Sequence, residues 1–146
     1  MIILSKFAEN LFSLMSERNL NAPKLATLLN IDRTSITEYL RGKRFPNFKV
    51  FVSMLAFFNV SADVFLGRTE YSTATDFYPI LPFGTTLRKV MEETHTTQYR
   101  LEKELHISGG TMYYWLIKQS LPTLHNLDKL ADFMDVSIDY LLGRVH

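Results

Sequence analysis

Residues 21–44 read NAPKLATLLNIDRTSITEYLRGKR, and the folding of this stretch decides the rest of the chain. Leu25, Ala26 and Leu29 recur at helical spacing behind Asn21, whose side chain is suited to cap a first short helix. Asn30, Ile31 and Asp32 interrupt the pattern. Asp32 is placed to cap a second helix beginning at about Arg33, with Ile36, Tyr39 and Leu40 on its apolar side. Gly42 follows as a natural stop, because a glycine takes the left-handed conformation at low cost. Two short helices joined by three or four residues form a unit whose second helix fits the major groove of a duplex.

Working outward, Ser5 is expected to cap an earlier helix with Phe7, Leu11, Leu14 and Met15 inside, ending at Glu17-Arg18-Asn19. Pro46 disfavours helix at Phe45, so a turn follows the second helix. A fourth helix is predicted over 48–58. Ser61 caps a fifth, Ala62 to Leu66, which Gly67 stops. That is a compact five-helix unit with short loops. Residues 69–82 show no sustained periodicity and contain two prolines, so they read as a linker.

From Phe83 the pattern returns without a gap, 76 positions on. Leu11 maps to Leu87, Met15 to Met91, Leu25 to Leu101, Ile31 to Ile107 and Pro46 to Pro122. Ser61, Asp63 and Leu66-Gly67-Arg68 map to Ser137, Asp139 and Leu142-Gly143-Arg144. About fifteen identities hold this one offset, nearly all at core, turn or cap positions, which marks an internal repeat. The expected fold class is therefore all-α, with two tandem five-helix domains at 1–68 and 83–146 and the linker at 69–82.

The chain has 146 residues and a formal charge of +1, but the charge divides unevenly. Residues 1–70 hold nine Lys/Arg against six Asp/Glu, and residues 71–146 hold seven against nine. The first half is the better match for a polyanion. There is no cysteine, so no disulfide frame or thiolate metal site, which suits a reducing cytoplasm. The apolar run in MIILSKF is too short for a signal peptide or a membrane span. The four histidines, His95, His106, His125 and His146, lack metal-ligand spacing. No phosphate-binding loop, dinucleotide fingerprint or nucleophile motif is present, so no cofactor, catalytic residue or enzyme activity is expected.

The motif L-A-x-L-L-x-I-x-x-x-x-I-x-x-Y-L-x-G-K-R-x-P, closing with N-V-S-A-D-x-F-L-G-R, resembles the XRE/Cro family of phage-repressor-type helix-turn-helix proteins. The second copy closes with D-V-S-I-D-Y-L-L-G-R and matches the family's ending better still. The resemblance covers most of the chain as two domains. It implies a five-helix bundle, a cytoplasmic location, double-stranded DNA as partner, and a role in transcriptional control, most simply as a repressor.

By match to the family, Arg33, Thr34 and Glu38 read bases, with Ser35 and Thr37 beside them. Arginine suits guanine O6 and N7, glutamate accepts from cytosine N4, and threonine can meet a thymine methyl. Arg41, Lys43 and Arg44 stand where the family grips phosphate, and the helix start at Ala22 can offer backbone N–H groups. The second copy is weaker. Gly109, Gly110 and Tyr114 hold its base-reading places, leaving Gln98, Thr111, Tyr113, Tyr114 and Lys118 as reduced DNA contacts. Tyr39 and Trp115 are expected in the two cores.

The fourth helix of the first copy has Val50, Val52 and Ala56 where the second has Asn126, Asp128 and Asp132 on its expected wet side. With Leu55 nearby, this predicts an apolar contact surface, for the other domain or for a second protomer in a homodimer. A competing class of function is an interaction module of antirepressor or antitoxin type that keeps the fold but has given up DNA, especially through the second copy.

Overall fold

Short polar residues set the helix starts. In the computed structural model, which describes residues 1–146, Asn21 caps α2 (Ala22–Leu29), Asp32 caps α3 (Arg33–Leu40), Asn47 caps α4 (Phe48–Phe58) and Ser61 caps α5 (Ala62–Phe65). Each accepts a hydrogen bond from a backbone N–H of the first turn, satisfying a donor the helix itself leaves open. Thr97, Ser108, Thr123 and Ser137 do the same for α7 (Gln98–Leu105), α8 (Gly109–Leu116), α9 (Leu124–Met134) and α10 (Ile138–Leu141). The helices α7–α10 begin and end 76 residues after α2–α5. With α1 (Leu4–Glu17) and α6 (Phe83–Glu93) the chain has ten helices and no strand, the all-α class expected.

Ser5 is not the cap of α1. The helix starts earlier, after Ile3, without a side-chain cap. The Ile3 N–H instead donates to the Leu66 carbonyl at 2.9 Å, so a tertiary contact replaces the local one.

The chain divides into two compact units, Met1–Thr75 and Asp76–His146. Residues 76–82 group with the second unit. The Phe77 ring lies 4.2 Å from the Arg144 guanidinium, the Tyr78 N–H donates to the Arg144 carbonyl at 2.8 Å, and Tyr78 stacks on His146 at 4.0 Å. An extended segment held by aromatic side chains carries no helical period to read.

Unit one has an aromatic core. Phe65 stacks on Phe7 at 4.9 Å and meets Phe51 at 5.6 Å, and Phe7 also meets Tyr39 and Phe45. Unit two is mostly aliphatic, with Leu87, Leu101, Met112, Leu127, Leu130, Ile138 and Leu141 buried, and Trp115 packed edge-on against Phe83. Tyr39 and Trp115 are both in the core, each 3% exposed.

The repeated ending has a physical account. Asp63 pairs with Arg68 at 2.9 Å, and Asp139 pairs with Arg144 at the equivalent positions. Gly67 and Gly143 lie between them, both with φ of +76°, turning the chain so that each arginine reaches back to its acid. Ser, Asp, Gly and Arg thus recur because capping, pairing and turning act together.

Left-handed residues repeat at the same offset: Asn19 and His95, Asn30 and His106, Asn59 and Asp135. One position breaks step. Gly42 has φ of +67°, but the left-handed residue after α8 is Gln119, not Lys118. The left-handed turn after α8 thus falls one position later than in the first unit. The Gln119 side-chain oxygen then accepts the Gly84 N–H at 2.7 Å.

Gly84 occupies the place of Ala8. A Cβ there would lie 2.8 Å from the Leu116 carbonyl oxygen, 2.7 Å from Gln119 Oε1, and closer still to the Trp115 carbonyl. Gly84→Ala is therefore expected to cost about 1–3 kcal/mol through forced backbone shifts, seen as a lower thermal midpoint. A gain in stability would show that α6 and α8 can part freely.

Candidate nucleic-acid interface

The turn between α2 and α3 passes through Asn30, whose φ of 55° and ψ of 47° reverse the chain. Ile31 follows, and then Asp32 opens α3. Its Oδ1 accepts the Thr34 N–H at 2.9 Å and its Oδ2 accepts the Ser35 hydroxyl at 2.6 Å. The Ser35 hydroxyl, then the Thr34 amide, hold the Asp32 carboxyl below its usual pKa. The cap is thus at full strength above the ordinary carboxylate range and is lost as pH falls through the lowered value.

Ile36 and Tyr39 anchor α3 in the core. The opposite side is open. Arg33 and Thr34 are exposed at its leading end, and Ser35, Thr37 and Glu38 are half-buried. The Thr37 hydroxyl donates to the Arg33 carbonyl at 3.2 Å. Arg41 and Lys43 are exposed, and neither side chain, nor that of Arg33, is drawn into an ion pair. Arg44 differs: it reaches back onto α3, where Nη2 lies 2.9 Å from Ser35 Oγ and 3.4 Å from Glu38 Oε1.

Ala22 opens α2, but this helix start is poorly equipped for phosphate. Pro23 has no N–H, and the Lys24 N–H is already donated to Asn21. Only the Ala22 N–H is left of the first three. In α7 the Thr97 cap takes the Arg100 N–H, which leaves the N–H groups of Gln98 and Tyr99 beside an exposed Gln98 side chain.

The second unit builds the same turn through His106, φ 55°, but presents different chemistry. Gly109 and Gly110 are the first residues of α8 and are exposed. Tyr113 and Tyr114 are 47% and 56% exposed and meet edge to face at 5.8 Å. Thr111 is committed to Ser108 through both its N–H and its hydroxyl. Lys118 is exposed; Gln119 is turned back onto Gly84. No charged side chain lies on α8 itself.

The expected apolar surface of α4 shrinks. Val50 and Val52 are half-buried and Ala56 is exposed, but Leu55, 1% exposed, belongs to the core. It continues the inner row of Phe51, Met54 and Phe58. Its counterpart face is also drier than expected, since Asp128 is 8% exposed.

Sequence reasoning missed the contacts of Arg44. The signal was available: a basic residue just past Gly42 can fold back over the helix it follows. No group of three or more His, Asp or Glu side chains is placed to hold a metal ion, and no helix is long and apolar enough to cross a membrane.

A short helix, a turn through a left-handed residue and a capped second helix with one side free define the helix-turn-helix class. Residues 87–141, from α6 to the end of α10, match the family described as helix-turn-helix, of the XRE type, which is associated with DNA binding in transcription regulation. No curated protein and no solved structure matches the chain. The match falls on the second unit, which has fewer cations around α8 than the first has around α3.

Proposed function

We propose that the protein is a sequence-specific double-stranded DNA-binding regulator, acting as a repressor, with α3 in the major groove. The observation that carries this reading is the open leading end of α3, where exposed Arg33 and Thr34 stand beside the unpaired side chains of Arg41 and Lys43. Arg33 and Thr34 read base edges; Arg41 and Lys43 bind phosphates. The second unit, built on the same helix lengths and caps, assists with Gln98 and Lys118 against the backbone.

Electrophoretic titration of random and selected duplexes tests this. Retardation should weaken steeply with salt, because each phosphate contact releases counterions. Absence of retardation on every duplex at low salt would refute it.

A second reading concerns the second unit alone. Its α8 bears no charge and displays Tyr113 and Tyr114, which suits a protein surface better than a phosphate track. On that reading the isolated second half binds no duplex while the first half still does.

A further inference from the structure

We infer that Arg44 is a positioning residue for the base-reading side of α3, holding Glu38 and Ser35 in place, and not one of the phosphate contacts. The inference rests on the proposed role of α3 in the major groove.

Three contacts hold the Arg44 guanidinium. It lies 5.0 Å from the centre of the Tyr39 ring, and that ring is fixed by burial at 3% exposure. Nη2 donates to Ser35 Oγ at 2.9 Å. Nε and Nη2 both lie 3.4 Å from Glu38 Oε1. Ser35 in turn donates to Asp32, whose other oxygen caps the helix. One chain of contacts therefore runs along α3 from its cap to Glu38. Only one Glu38 oxygen is used, so Oε2 is left to accept a base amino group.

The separate contacts are weak, since the pair is roughly half exposed. Their combination depends on a flat guanidinium that stacks on a ring while its edge donates to two oxygens, which a lysine cannot reproduce. The second unit supports this by contrast. Ser108, Thr111, Tyr114 and Ser120 stand at the places of Asp32, Ser35, Glu38 and Arg44, so acid, base and bridge are all replaced. There the hydroxyl chain ends at Ser108 and Thr111.

The test uses the full chain with Arg44→Ala, Arg44→Lys, Glu38→Gln and the Arg44→Ala/Glu38→Gln pair. In vitro site selection should show Arg44→Ala and Glu38→Gln relaxing preference at the same base pair. The double variant should relax it no further, and Arg44→Lys should restore little. Affinity for the selected site should fall about tenfold with an unchanged salt slope. A uniform loss on all duplexes, with the log–log salt slope smaller by about 0.9, is the signature of one lost phosphate contact and would overturn the inference. Proton NMR of the free protein gives a DNA-independent measure: the Arg44 Hδ signals should be shifted upfield by the Tyr39 ring. Signals at free-arginine positions would also overturn it. A wild-type chain that retards no duplex would instead refute the DNA reading itself, and the NMR result would then decide the Arg44–Glu38 geometry alone.

Discussion

Asp139→Ala is expected to cost the second unit about 3–5 kcal/mol, because it leaves the Arg144 guanidinium buried without its acid. Both side chains are almost inaccessible, 5% for Asp139 and 4% for Arg144. Desolvating a guanidinium is tolerable only while a carboxylate accepts from it. Asp139 also sits in the first turn of α10, where a negative charge is favoured by the helix dipole. Phe77 covers the guanidinium from the other side, so water has little access to replace the lost partner. For a unit of this size the loss corresponds to a fall in thermal midpoint on the order of 15 °C or more. Thermal denaturation of the full chain followed by calorimetry measures it. Replacing both residues with apolar ones of similar size, Asp139→Leu with Arg144→Met, should be far less damaging than either alone. If the single variant melts within about 2 °C of wild type, the pair does not hold the unit together.

Arg33→Ala carries the second large effect. On the proposed reading its guanidinium reaches a base edge from the first residue of α3, so its loss should cost about 1–3 kcal/mol on the preferred site and relax one base preference. Lys43→Ala should behave differently, weakening every sequence alike and lowering the salt slope by about one. Neither side chain holds the fold, since both are exposed and outside every ion pair, so thermal midpoints should hardly move. Fluorescence anisotropy on a selected and an unrelated duplex, each at several salt concentrations, separates the two. Identical behaviour of the two variants would show that Arg33 is not a base reader.

Much of the fold was legible because it is decided locally. Asn21, Asp32 and Ser61 are caps whichever helix they precede, and proline and glycine place the turns at Pro46 and Gly67 by backbone sterics alone. The constant offset then carried the same assignments into the second half. What sequence could not supply was tertiary choice. Ser5 has the chemistry of a cap, but the Ile3–Leu66 hydrogen bond starts α1 earlier. Phe77 and Tyr78 join the second unit through single contacts that leave no period. Leu55 and Asp128 sit on helix edges where a small rotation decides between core and solvent. At the candidate interface, the family resemblance picked out the basic residues around α3. It gave no means of telling Arg41 and Lys43, which stand free, from Arg44, which folds back.

The opposite placement of glycine in the two halves limits how they can be recombined. In the first, the bare backbone is Gly42 and the facing side chain is Ala8; in the second, it is Gly84 that yields room, to the end of α8. Chimeras are therefore constrained at this joint. Transplanting residues 109–120 onto the first half would drive a methyl group into a shoulder shaped for hydrogen, and the hybrid would need the donor's α6 to come with it.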